Sequence, residues 1–323
     1  MEAIEAAVEK FRKLLTEQCE RAEKMKNPPA QKRADGKIRI GLIDGDGIGP
    51  IIMREAKRVL CELLKEQIAG GRVELKEISG LTIENRLRLG VSVPEDTLAE
   101  IRKCDVLLKG PTETPKGGTL ESANVALRRE LDLFSNVRPV RVKELGIDWT
   151  FFRENTEGEY VLGSSGVEIP GVLAFDFKVI TDEGTRRIAR AAFDFARKNG
   201  KTHVSIVTKA NIMKKTDGKF SEICREVAKD YPEIVAEDYY IDIMCANLLN
   251  GQIRQKFQVF VLPNLYGDII TDEAAQIQGG VGTAGSANVG ARYAMFEAVH
   301  GSAPRLVAEG LGENASPESI LRA

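Results

Sequence analysis

The chain has 323 residues, 43% of them hydrophobic and 29% charged, with a formal net charge of −2. That length suffices for two domains or one large intertwined unit, and the near-neutral balance excludes the electrostatic footprint of a nucleic-acid binder. No apolar run approaches membrane-spanning length, the first 25 residues lack the apolar centre of a secretory signal, and five dispersed cysteines (Cys19, Cys61, Cys104, Cys224, Cys245) exclude a disulfide frame or zinc site. A soluble, cytoplasmic protein with buried thiols is the expectation.

In chain order, Ile4, Val8, Phe11, Leu14 and Leu15 lie close to one helical stripe within residues 2–25. This helix reads as an appendage for packing or oligomer contact, and KNPPAQKRADGK after it reads as a linker. From Lys37 the pattern becomes α/β: strand Ile38–Ile43, a Gly-rich turn, helix Ile51–Ile68, strand Val73–Ile78, helix Glu95–Lys103 and strand Val106–Lys109. Helix Gly184–Lys198, strand His203–Thr208, helix Phe220–Asp230, strand Val259–Pro263 and helix Thr271–Gln278 repeat the theme. Such alternation predicts a parallel sheet with covered faces.

The turn DGDGIGP (Asp44–Pro50) sits where a dinucleotide fingerprint would, but its glycines, Gly45, Gly47 and Gly49, are not spaced G-x-G-x-x-G. Close backbone packing explains it as well as a nucleotide does. The chain does not read as a Rossmann dehydrogenase.

The most informative stretch runs from Lys109 to Arg141. A polar loop with Thr114, Pro115, Gly117 and Gly118 leads to a short helix bearing Ser122, Asn124 and Arg128, and then to an extended segment bearing Arg138. Asn124 and Arg128 stand one turn apart and point the same way. Two guanidinium groups with neutral hydrogen-bonding neighbours suit a small molecule carrying several carboxylates. Further along, PNLYGDIITD places Asp268 and Asp272 four apart at the start of a helix, a pair of hard oxygen ligands suited to Mg²⁺ or Mn²⁺. RENTEGEY carries Arg153 and Tyr160, and TKANIMKKTDG carries Lys209. A tyrosine and a lysine are proton-transfer candidates, the lysine if buried beside cations. Finally, GGVGTAGSANVG precedes FEAVHGSAP, which holds one of only two histidines, His300.

These motifs, in this order, resemble the metal-dependent β-decarboxylating dehydrogenases, the isocitrate/isopropylmalate dehydrogenase family. The resemblance covers roughly residues 37–317. It implies an α/β two-domain fold of that family, not a Rossmann fold. The domains expected are an N-terminal helical extension and linker at 1–36, a large cofactor-side domain at 37–133 plus 279–323 that reads as cut short at its C-terminus, and a small domain at 134–278 with a dimer arm or clasp near 160–178.

The activity implied is oxidative decarboxylation of isocitrate to 2-oxoglutarate in a homodimer with shared active sites. Thr114, Ser122, Asn124, Arg128, Arg138 and Arg153 then bind substrate, with Ser122 and Asn124 selecting isocitrate and Thr114 also next to the nicotinamide. Tyr160 and Lys209 transfer protons, and Asn211 matches the asparagine that follows the lysine. Asp268 and Asp272 bind the metal, with Asp242 supplied by the partner subunit. Asn288, Glu297, His300, Gly301, Ser302, Ala303 and Arg305 line the cofactor site. Arg305 with Leu306 mixes NADP and NAD features; the reading leans to NAD. Another 2-hydroxy acid (isopropylmalate, homoisocitrate, tartrate or malate) or a non-catalytic regulatory subunit are the alternatives, although Tyr160, Lys209, Asp268 and Asp272 are all present.

Overall fold

The computed structural model describes residues 2–26, 36–115, 120–163 and 165–323. The linker residues 27–35 and the loop glycines Gly117 and Gly118 lie outside them. The first half of the chain contains α1 (Glu2–Met25), β1 (Ile38–Ile43), α2 (Gly49–Leu63), α3 (Lys65–Ala69), β2 (Val73–Glu77), α4 (Ile83–Leu89), α5 (Glu95–Ile101) and β3 (Val106–Lys109). Next come α6 (Ala123–Glu130), β4 (Ser135–Val142), β5 (Ile147–Glu154), β6 (Val167–Ile169) and β7 (Leu173–Phe175). The second half has α7 (Asp182–Lys198), β8 (His203–Thr208), α8 (Thr216–Ala228), β9 (Val235–Tyr240), α9 (Ile241–Leu249) and β10 (Val259–Leu262). It closes with α10 (Asn264–Gln278), β11 (Gly285–Val289), β12 (Ala294–Ala298), α11 (Pro304–Ala308) and α12 (Glu318–Arg322).

Contacts divide the chain into one unit of residues 1–29 and 149–271 and another of 30–148 and 272–323. In the latter, strands run in the order β2-β1-β3-β12-β11-β4. β1 is parallel to β2 and β3, and β12 is parallel to β3, but β11 is antiparallel to both β12 and β4. That reversal separates the sheet from an all-parallel dinucleotide fold. Two apolar clusters enclose it: Ile43, Leu98, Ile101, Leu107, Leu127 and Met295 in one, Ile52, Met53, Ala56 and Ile320 in the other.

The unit holding residues 149–271 has the order β5-β10-β8-β9, all parallel. Its central strand β10 is apolar and every residue of it is buried, as burial on both faces requires, whereas β9 at the edge is largely exposed. Phe151 stacks on Phe260 at 4.3 Å, with Trp149 edge-on to both, a geometry that favours aromatic rings beyond their burial. α7 buries Ile188, Ala192, Phe193 and Ala196, and its N-cap Thr181 accepts from the Gly184 amide at 3.0 Å. β6 and β7 form a small antiparallel hairpin inside residues 160–178.

Three local expectations are corrected. The predicted helix Ile51–Ile68 breaks at Leu64, which ends α2 and caps α3. α10 begins at Asn264 rather than near Thr271, so Asp268 sits a full turn inside it. Of the cysteines, Cys104 and Cys224 are buried but Cys19 and Cys61 are exposed, because the outer faces of α1 and α2 carry them. Among the described residues no helix is long and apolar enough to cross a membrane.

The Gly-rich turn is occupied by protein backbone. Asp46 N donates to Pro111 O at 2.7 Å and Ile48 N to Ser302 O at 2.9 Å. A Cβ on Gly47, whose φ is +59°, would lie 2.1 Å from the Ser302 carbonyl oxygen. Gly47→Ala is therefore expected to cost about 2 kcal/mol or more through strain and overlap together, measured as the shift in the urea unfolding midpoint. An unchanged midpoint would contradict this packing.

Candidate active site

Parallel register brings the first set of residues together. Leu262 of β10 pairs with Arg153 of β5, so the chain leaves β10 and enters α10 beside the Arg153 side chain. Arg153 is 1% exposed. Its Nε and Nη2 donate to Asn264 Oδ1 at 2.9 and 2.6 Å, and its Nη1 donates to Asp268. Tyr160 Oη donates to the other Asp268 oxygen at 2.7 Å, and the Arg153 guanidinium lies 5.3 Å from the Tyr160 ring centre. Guanidinium, carboxylate and phenol thus form one hydrogen-bonded set. The sequence reading named three of its members and missed Asn264, which the Pro-Asn at the end of an apolar strand could have flagged.

Lys209 is placed by the same kind of register. Thr208 of β8 pairs with Tyr240 of β9, so the next residue on one strand meets the residue two further along the other. Lys209 Nζ donates to Asp242 Oδ1 at 2.6 Å, and this contact is the first cause that lowers the Asp242 carboxyl. The lysine is a quarter exposed and faces an acid. The expected buried lysine beside cations is not what the fold builds, because Lys209 lies just past the buried end of its strand.

In the other unit, β12 and β3 pair with Glu297 opposite Lys109. Glu297 Oε2 lies 3.1 Å from Lys109 Nζ, and Oε1 accepts from Arg128 Nη2 at 3.0 Å and from Asn288 Nδ2 at 2.8 Å. Asn288 Oδ1 accepts from Asn136 Nδ2 at 2.8 Å, across the β11–β4 register that pairs these two residues. Burial acts to raise the Glu297 carboxyl, but Lys109 and Arg128 outweigh it and hold it at about 2. Burial pushes the Lys109 ammonium down against the pull of Glu297. Lys109 was not singled out from sequence; a lone cation closing an apolar strand was its only signal. Arg138 Nη1 lies 3.5 Å from Asp272 Oδ1. Asn124 Oδ1 accepts from Thr112 Oγ1 at 2.9 Å. Ser122 occupies the N-cap of α6 without a side-chain capping bond, and Thr114 is exposed.

His300 is bracketed by Gly301 O at 2.9 Å and Ser319 Oγ at 2.7 Å. Ser302 is buried against the Gly-rich turn. Ala303 takes a left-handed conformation at φ +45°, a conformation that non-glycine residues adopt at an energetic cost and that clusters at ligand sites. Arg305 pairs with Glu309 one turn on, at 3.5 Å.

A sequence model described as isocitrate/isopropylmalate dehydrogenase matches residues 39–321. The chain belongs to this family. A mitochondrial NAD isocitrate dehydrogenase subunit 2 of Schizosaccharomyces pombe is 38% identical over 300 residues, 90% of this chain and 75% of that one. An NADP isocitrate dehydrogenase of Rickettsia prowazekii is 40% identical over 288 residues, 86% of this chain but 56% of that one. The crystal structure of isocitrate dehydrogenase from Methylococcus capsulatus superposes with a TM-score of 0.77 at 37% identity, covering 88% of this chain and 83% of that one. The chain is thus an oxidoreductase of this family, with the α/β fold of the family rather than a Rossmann fold.

The family implies a divalent metal. Asp268 and Asp272 are one turn apart on α10, and both side chains are partly exposed. Two hard carboxylate donors fit Mg²⁺ or Mn²⁺, which retain waters. Among the described residues no third His, Cys, Asp or Glu joins them in a cluster.

The buried Lys109–Glu297–Arg128 set yields a prediction. Its Glu297 carboxyl is held below the ordinary 4.5, so its stabilisation is complete above that pH and is lost as pH falls toward 2. Glu297→Gln leaves two cations without their counter-charge and is expected to cost about 3 kcal/mol at neutral pH. It should also flatten the acid limb of the stability profile, both effects being read by denaturant unfolding.

Proposed function

We propose that the chain catalyses oxidative decarboxylation of isocitrate to 2-oxoglutarate, with NAD⁺ as the hydride acceptor (NADP⁺ is the alternative) and Mg²⁺ or Mn²⁺ as the metal. The observation that carries this reading is the Arg153–Asp268–Tyr160 set, which joins an anion-gripping cation, a metal-type ligand and a proton donor within hydrogen-bond reach.

In this reading Arg128, Arg138 and Arg153 grip the substrate carboxylates, as planar guanidinium forks do well. Arg128 Nε is a buried donor without a partner among the described residues, which suits an incoming carboxylate. Ser122 and Asn124 on α6 orient the distal carboxylate. Thr114 lies between substrate and nicotinamide. Lys209 assists loss of the hydroxyl proton, and Tyr160 Oη delivers a proton to the substrate carbon that has lost CO₂. Asp268 and Asp272, with Asp242 of the partner subunit, hold the metal; when bound, it supplies Lewis-acid stabilisation of negative charge on substrate oxygen, worth several kcal/mol. His300, Gly301, Ser302, Ala303 and Arg305 hold the cofactor, and Asn288 and Glu297 support that site from inside the sheet. The β6–β7 hairpin, with Val172 and Phe175 exposed, serves as the clasp of a homodimer. Five free thiols fit a cytoplasmic setting.

Reduced-nicotinamide absorbance should rise with isocitrate and Mn²⁺ and stop on adding chelator. Faster turnover of isopropylmalate, homoisocitrate, tartrate or malate would transfer the reading to that acid. No turnover from a folded dimer would favour the regulatory-subunit alternative. Tyr160→Phe is expected to slow overall turnover about 10²-fold, the usual weight of one positioned proton donor. Reduction of added oxalosuccinate should change little, and equal loss of both reactions would remove Tyr160 from that role.

A further inference from the structure

Helix α1 precedes the family match, which begins at residue 39, yet it packs on β6 and α7 and reaches Glu157, between Arg153 and Tyr160, through Arg21. Its Leu14 is buried, its Phe11 ring lies 5.2 Å from that of Phe177, and Lys10 Nζ donates to Gly166 O. Between Arg153 and Tyr160 the chain buries two carboxylates, Glu154 and Glu157, three residues apart. Glu154 accepts from the Thr156 amide and hydroxyl and from the Glu157 amide. Glu157 accepts from the Thr181 amide and hydroxyl at the start of α7.

Two cations face this pair from neighbouring elements. Arg187 of α7 lies beside Glu154 and donates to Thr156 Oγ1 at 3.0 Å. Arg21 of α1 pairs directly with Glu157 Oε1 at 2.9 Å, while its Nε is held by Gln18 Oε1 at 2.8 Å. Burial, and then the facing Glu157 carboxylate, push the Glu154 carboxyl up to about 7. From Glu157 the bonding continues inward: its carbonyl accepts from Asn264 Nδ2 at 3.1 Å, and Asn264 Oδ1 accepts from Arg153.

We propose that Arg21 is a positioning residue, by which α1 neutralises Glu157 and holds the loop from Glu154 to Tyr160 in the arrangement that presents Arg153 and Tyr160 to the substrate. The proposal rests on the reading of those two residues given above. Without Arg21, the loop holds two buried carboxylates against one nearby cation, and opening it to water becomes the way to relieve them.

The test compares full-length wild type, Arg21→Gln and Arg21→Lys by thermal unfolding, amide hydrogen exchange and turnover. In Arg21→Gln the fall in Tm should be larger at about pH 8.5, where Glu154 is ionised, than at about pH 5.5, where Glu154 holds a proton. Exchange at the Gly158 amide, which is bonded to Val179 O, should quicken about tenfold. The kcat for isocitrate should fall about tenfold, as misplacement of a reacting group predicts, and Arg21→Lys should recover most of each effect. A loss of Tm independent of pH, or unchanged Gly158 exchange in Arg21→Gln, would overturn the proposal by reducing Arg21 to a packing residue. If wild type turned over no hydroxy acid while the exchange and pH pattern held, the functional reading would fail and the role of α1 would stand.

Discussion

The burial of one guanidinium governs this molecule more than any other contact. Arg153 sits at the end of β5 with almost no exposure, where a cation without partners would cost several kcal/mol. Its donors are answered by Asn264 in the first turn of α10 and Asp268 in the second. The position of α10 relative to the β5–β10 pair therefore follows from satisfying one side chain. The second oxygen of Asp268 accepts from Tyr160, and the phenol is fixed by the same requirement. A Lys at position 153 could not serve both partners, because an ammonium is a point donor and lacks the fork.

The chemistry-bearing residues share a location in the strand pattern. In the unit of residues 149–271, Arg153 falls one residue short of the end of β5, Lys209 follows β8, Asp242 follows β9, and Asn264 and Asp268 follow β10. In parallel sheets every strand delivers its carboxyl end to the same edge, where helices begin and side chains escape the apolar sandwich. Arg153 and Lys209 are each paired by a register that is off by only one or two residues. The buried bodies of β5, β8 and β10 hold the register, since a one-residue slip would move each side chain to the opposite face and out of its packing.

The set around Glu297 follows a different logic. It lies inside a sheet rather than at an open edge, and its three charges are compensated by each other and by Asn288. Such sets add little net stability over an apolar filling, but losing one member is costly. They fix which strands may lie together: Lys109 must face Glu297 across β3 and β12, and Asn288 must face Asn136 across β11 and β4. The antiparallel insertion that distinguishes this sheet from a dinucleotide fold is thereby tied down by polar pairs.

What the sequence determined by itself was the local grammar and the family. Strands Val106–Lys109 and His203–Thr208 have the predicted bounds, because runs of apolar residues closed by a charge or a turn residue carry their own limits. The motif order was sufficient to name the family, and the stripe Ile4, Val8, Phe11, Leu14 and Leu15 foretold α1. Tertiary structure alone decided the rest. Lys109 and Lys209 both stand at the carboxyl end of a buried strand, yet one is enclosed between Glu297 and Arg128 and the other is a quarter exposed beside Asp242. Arg21 looks like any helix-surface cation, and its carboxylate partner lies 136 positions away. Periodicity and capping report on neighbours within a few residues, whereas a buried charge is settled by which strands and helices meet, and that depends on burying the whole apolar surface at once.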